Sequence, residues 1–353
     1  MAARELQGRP LIGSAFLGDP AALRADVAIF AAPHGTPYQG IDNREHAGTG
    51  AAIRKAMAAD GEWTDHWDYD LGGPLLDGSA LTIADLGDLA TVSADGAGNR
   101  VKIEAMTRAV LAAGALPMML GGDDSVPIPF LAGFADTGPI TILQVDAHID
   151  WRDERLGERF GFSSTMRRAS EMAHVRRIIQ VGQRALGSAR RGELDDAASW
   201  GVTFVPARRV HAEGIGAAIA AIEPGARVVI SIDCDALDPG IMPAVQAPTP
   251  GGLDYWQIAD LIAAVYERHG GLTKGEAAEI VDAIFDAPPA DRDAARVADL
   301  LHTLGGFGPE PGSPLAPRYL TLGGFAVAGF FALSGLLVGR SALRRTPAQY
   351  TRA

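Results

Sequence analysis

The 353-residue chain has a single cysteine, Cys234, so it can form neither an intramolecular disulfide nor a Cys-rich zinc site. It also lacks any excess of positive charge. Its 31 Lys and Arg stand against 43 Asp and Glu, a formal net charge of −12. That balance argues against a nucleic acid partner, which selects basic stripes, and suits a cationic small molecule. The opening stretch "MAARELQGRPLIG" carries no apolar run, so no signal peptide is expected and the folded part is read as cytoplasmic. No internal repeat is visible.

Short apolar runs rich in β-branched residues are present instead. They are "DVAIFAAP" (26–33), "LPMML" (116–120), "ITILQVD" (140–146), "RIIQVG" (177–182), "VTFVP" (202–206) and "ARVVISID" (226–233). Helix-like segments lie between them, at 99–114, 192–201 and 254–270. Continuous apolar strands alternating with helices predict an α/β domain whose parallel sheet is covered on both faces. Ligands in such sheets bind beyond the carboxyl ends of the strands.

Acidic residues gather at those ends. "LGGDDSVP" (120–127), "QVDAHIDWRDE" (144–154) and "SIDCDALDP" (231–239) each close an apolar run. Alternate residues of a strand share a face, so Asp146, His148 and Asp150 are expected to point one way, and Asp233 and Asp235 likewise. Together with Asp124 they make five carboxylates and one imidazole. Like charges on one face repel and are costly to desolvate without a cation. The total is too negative for one divalent ion and fits two, with Mn²⁺ favoured and Mg²⁺ or Ni²⁺ also compatible.

The order "GGD.S", "DAH.D" and "S.D.D..DP" resembles the ureohydrolase family of arginases, agmatinases and guanidino-acid hydrolases. "APTPGGL" (247–253), "RRASE" (167–171) and "HGTPYQGIDNREHAGTGAAIR" (34–54) add to the likeness. The resemblance spans roughly residues 26 to 305. It implies a three-layer α/β/α fold with a mainly parallel sheet, a homo-trimer or hexamer, and a binuclear manganese site. The implied activity is hydrolysis of a guanidino compound of agmatine or guanidinobutyrate type to urea and an amine, because two cations lower the pKa of a bound water towards 7. By the same resemblance, Asp146 and Asp233 match bridging ligands. Asp124 and Asp150 would complete one metal, and His148 and Asp235 the other. Asp150 is also placed to hydrogen-bond the bridging hydroxide and pass its proton onward.

Three positions depart from the family pattern. Asp124 stands where that pattern has a histidine ligand, which makes one metal all-carboxylate. Phe162, followed by Ser163, replaces a histidine of the proton-shuttling and substrate-contacting loop. A phenyl ring cannot carry protons, but it can stack on a planar guanidinium or simply pack as a core aromatic. Asp282, in "AAEIVDAIFDAPP", takes the place of a glutamate that binds guanidinium and would suit a fork of N–H donors. These departures leave open hydrolysis of an unusual guanidine (free guanidine, a biguanide or a guanidino acid), or a metal-poor structural subunit beside an active paralogue.

Other conspicuous residues are read as structural. Cys234 is expected in the core, His34 in a loop, and Asp238 as the residue that fixes the "LDP" turn. The catalytic domain is drawn at 1–306 and a Pro/Gly-rich linker at 307–318, with an apolar helix and basic tail at 319–353. Residues 319–339 form an uncharged run long enough to cross a bilayer. Membrane attachment there and packing as a buried helix against the enzyme are both compatible with it.

Overall fold

The computed structural model describes Leu11 and residues 14–39, 44–57, 65–69, 73–74, 82–187 and 189–268. Its strands in chain order are β1 (Ala15–Phe16), β2 (Val27–Ala31), β3 (Trp67–Asp68), β4 (Gly73–Pro74), β5 (Ile83–Asp88) and β6 (Leu116–Leu120), then β7 (Ile140–Val145), β8 (Val175–Val181), β9 (Thr203–Val205) and β10 (Val228–Ile232). Two four-stranded sheets run β1-β5-β2-β6 and β10-β7-β8-β9, and every pairing within them is parallel. Among the described strands, the β3–β4 pair is antiparallel.

Strand β7 shows why the fold has layers. All six of its residues are buried, and its side chains divide between two cores. Ile140 and Ile142 join Trp151, Met166 and Ile178 on one face. Leu143 and Val145 join Val181, Val210 and Leu261 on the other. Alternating side chains thus meet helices on both sides of the sheet. Each fully buried aliphatic chain contributes about 1.5–3 kcal/mol. The expected runs all appear as strands and the three helix-like segments as helices Gly96–Ala112, Arg191–Trp200 and Tyr255–Arg268.

Strand β5 has no counterpart among the expected strands, because "IADLGD" carries two acids. The tertiary structure compensates one of them. Asp85 is fully buried and accepts from Arg54 Nε at 2.7 Å and Nη2 at 2.6 Å. Arg54 also reaches Asp88. It stands on helix Thr49–Met57, so that helix is fastened to the sheet by a buried bidentate ion pair.

Among the described residues no helix is long and apolar enough to cross a membrane. The 319–339 run and Asp282 lie outside the described residues.

Candidate metal centre

The three acidic clusters follow β6, β7 and β10, as a parallel sheet requires of its ligand edge. They converge, although by a different route from strand alternation. Strand β7 ends at Val145 and β10 at Ile232, so every acid of the two later clusters lies past its strand. Each cluster is folded by an Asx turn, in which a carboxylate caps the N–H two residues on. Asp123 Oδ1 accepts from Ser125 N (3.0 Å), Asp146 Oδ1 from His148 N (2.6 Å) and Asp233 Oδ1 from Asp235 N (2.9 Å). Alternate spacing therefore reports a repeated turn rather than a shared strand face. Asp150 closes its turn with a positive φ of 43°, a conformation that Asp adopts more readily than most residues.

Two groups of donors form where the clusters meet. Asp124, Asp146 and Asp233 bring ligand atoms within 4.8 Å of one another, and so do Asp146, His148 and Asp235. Asp146, fully buried, is common to both. Asp150 belongs to neither group but adjoins them, because Gln144 Nε2 donates to Asp146 Oδ2 at 2.7 Å and to Asp150 Oδ2 at 2.8 Å. His148 Nδ1 sits 3.0 Å from Asp235 Oδ2.

The electrostatics call for cations. Burial, then the neighbouring Asp150 and Asp146 carboxylates, pushes Asp124 well above the usual carboxylate range. Burial and Asp233 do the same to Asp146, and burial and Asp146 to Asp150. Asp233 is pushed up to about 7 by burial and Asp235. Burial also opposes ionisation of Asp235, but the hydrogen bond and charge of His148 prevail and hold it low. The same bond raises His148. Asp124 Oδ2 is buried with no hydrogen-bond partner among the described residues. An unpartnered buried carboxylate oxygen beside two other carboxylates is a position that a cation satisfies. The donor set is oxygen-rich with one imidazole, so it fits hard or borderline divalent ions.

The loop bearing Asp124 is held by its backbone. A Cβ at Gly122 would come within 1.7 Å of the His34 carbonyl oxygen, so only glycine lets the two segments close. His34 is itself buried, with Nδ1 3.0 Å from Asn99 Nδ2. Its loop serves as a platform for 121–125.

Phe162 meets Tyr38 edge-on at 5.0 Å, and its N–H donates to Thr36 Oγ1. The Arg155 guanidinium lies 5.4 Å over the Phe162 ring, a cation–π contact within the protein. Ser163 is buried with Oγ 3.1 Å from Tyr38 Oη. Cys234 belongs to the turn after β10 and packs against the second core, where burial pushes its thiol up to about 12. Asp238 fixes its turn as expected, accepting from Gly240, Gly251 and Gly252 N–H groups. Gln144 is not among the residues that the sequence motifs single out. Its signal is an amide inside a mostly apolar strand, two residues before Asp146.

Asp124→His provides a direct check on the departure from the family motif. The imidazole removes one negative charge and offers a nitrogen donor that Mn²⁺ and Ni²⁺ accept, so the variant should bind Mn²⁺ more tightly. A titration curve superimposable on the wild type would show that the side chain at 124 does not reach the ion.

Known proteins give the geometry its context. The chain is 40% identical over 159 residues to N(1)-aminopropylagmatine ureohydrolase of Thermus thermophilus, a stretch covering 45% of this chain and 53% of that protein. It thus spans about half the length of that relative. It is 30% identical over 257 residues to formimidoylglutamase of Halobacterium salinarum, covering 70% of this chain and 80% of that one. Its fold resembles proclavaminate amidino hydrolase from Streptomyces clavuligerus with a TM-score of 0.61 at 25% identity, covering 73% and 84% of the two chains. The model of the arginase family matches residues 25–301, and the chain belongs to that family.

Proposed function

We propose that the protein is a metal-dependent amidinohydrolase that hydrolyses a linear guanidino compound, of agmatine or guanidinobutyrate type, to urea and an amine. The observation that carries this is the pair of donor groups sharing one fully buried carboxylate, Asp146. Two divalent ions, Mn²⁺ in the first place, would be held by Asp124, Asp146, His148, Asp150, Asp233 and Asp235. When bound they supply Lewis acidity and an activated water at neutral pH.

The residues supply the rest. The acidic cluster attracts a guanidinium cation and keeps it at the sheet edge. Asp150 takes the proton of the attacking water and returns it to the departing amine as the carbon–nitrogen bond breaks. Asp282 accepts from the substrate's N–H fork. Phe162 and Ser163 form part of the wall along the substrate, with Ser163 steadied by Tyr38. The curated relatives include a guanidinobutyrase from Pseudomonas aeruginosa and an agmatinase from Pyrococcus horikoshii, 30% and 29% identical over the aligned stretches, which supports both substrate types. A homo-trimer or hexamer is the assembly proposed with this activity.

The test is urea release by the Mn²⁺-loaded full chain over a panel of guanidino compounds, together with the metal content of the purified protein. Close to two ions per chain and urea from at least one compound are expected. Metal content near zero, with no urea from any compound, would leave only a structural subunit.

A further inference from the structure

Gln144 and Gln180 are buried amides in strands where neighbours such as Leu143, Val145, Ile179 and Val181 are buried aliphatics. A fully buried parallel strand ordinarily reads as a continuous apolar run, and burying an amide costs free energy unless its partners are in place. The two face each other directly in the register of β7 and β8. Gln180 Nε2 donates to Gln144 Oε1, and also to the Ile149 carbonyl at 2.8 Å. With its oxygen engaged, the Gln144 amide must turn its NH₂ away, and both hydrogens are used. One goes to Asp146 Oδ2 and the other to Asp150 Oδ2. Gln144 and Asp146 are two residues apart, and Gln180 reaches the carbonyl just before Asp150.

Given the metal-dependent reading above, we propose that Gln180 and Gln144 are positioning residues for the metal centre. Gln180 fixes which way the Gln144 amide points, and Gln144 holds the Asp146 and Asp150 carboxylates in the arrangement that receives a divalent cation. The device suits this location. A neutral donor orients two crowded carboxylates without competing with the metal for them, as a lysine or arginine would. Gln144 engages one oxygen of each carboxylate; the other oxygen of Asp146 accepts from the His148 N–H and keeps a lone pair for the ion. Apolar residues of the same volume would fill the space but remove the side-chain donor shared by the two aspartates. Partners of this kind typically change metal affinity by about 10- to 100-fold when removed.

The experiment is a Mn²⁺ competition titration against a chelator, on the full chain, for wild type, Gln144→Met, Gln180→Met and the double variant. Methionine approximates the volume and removes the amide. Gln144→Met should weaken Mn²⁺ binding by about 10- to 100-fold, with the circular dichroism of the metal-free protein unchanged. Gln180→Met should weaken it less, because it acts through Gln144. The double variant should bind no worse than Gln144→Met alone, the non-additivity expected of residues in one chain of contacts. Wild-type affinity in both single variants, or losses that simply add, would overturn the relay. Should Gln144→Met fail to fold, Gln180→Met decides alone, since it leaves the contacts from Gln144 to the aspartates available and wild-type affinity in it would sink the idea. A wild-type protein that binds no Mn²⁺ at all would instead remove the metal-dependent function itself.

Discussion

Asp146→Ala is expected to lose bound Mn²⁺ and hydrolysis together. Asp146 is the one side chain in both donor groups, so its removal dismantles both at once, whereas Asp233 belongs to one. Loss of a residue that acts as part of a catalytic unit costs about a thousandfold or more in kcat, and the same is expected of Asp233→Ala. The fold should survive. Both variants remove a carboxylate that burial and like charge disfavour, which offsets the loss of its Asx-turn hydrogen bond, so the metal-free protein should still melt cooperatively at pH 8. Metal content, urea release and a melting curve on each variant check all three points. Asp238→Ala is the control, because that carboxylate holds the 238–252 turn and lies outside both donor groups. Retention of two ions by Asp146→Ala would end the shared-ligand assignment.

The second large effect is the dependence of stability on metal and pH. In the metal-free protein burial and mutual repulsion raise Asp124, Asp146 and Asp150, and Asp233 to about 7. A carboxyl raised on folding contributes stability that is fully present below its unfolded value, about 4. That contribution fades as pH climbs through the folded value. His148, raised by Asp235, has the same sign: its contribution is present below about 6.5 and is lost at higher pH. The cluster therefore makes the metal-free chain less stable at pH 8 than at pH 5. Metal reverses the trend, since cations take the place of protons and bind more tightly as the ligands deprotonate. At a free ion concentration a thousandfold above Kd the gain is about 4 kcal/mol. For a domain of this size that corresponds to a Tm increase of about 10 °C. Melting curves with EDTA and with Mn²⁺ at pH 5 and pH 8 measure it. A Tm that ignores Mn²⁺ at both pH values would mean that these carboxylates do not form a cation site.

Much of this protein is determined by its sequence alone. The runs at 116–120, 140–146 and 226–233 are mostly apolar and rich in β-branched or large aliphatic residues, so their strand character follows from local composition. Their carboxyl ends carry the acids, because ligands of a parallel sheet belong at that edge. The turn at Asp238 was legible for the same reason, since its hydrogen bonds are made by nearby backbone. Other features are set by contacts distant in sequence. Strand β5 became acceptable as buried strand only when Arg54, 31 residues away, neutralised Asp85. The acids reach one another through Asx turns beyond the strands and not through strand alternation, because the strands end one residue before Asp146 and Asp233. Gln144 reads as an isolated polar residue until the β7–β8 register sets Gln180 opposite it. Gly122 is required only because the His34 backbone closes on it. Local sequence fixes which residues prefer strand, turn or charge. Which of them are neutralised, oriented or crowded depends on partners that only the folded chain brings near.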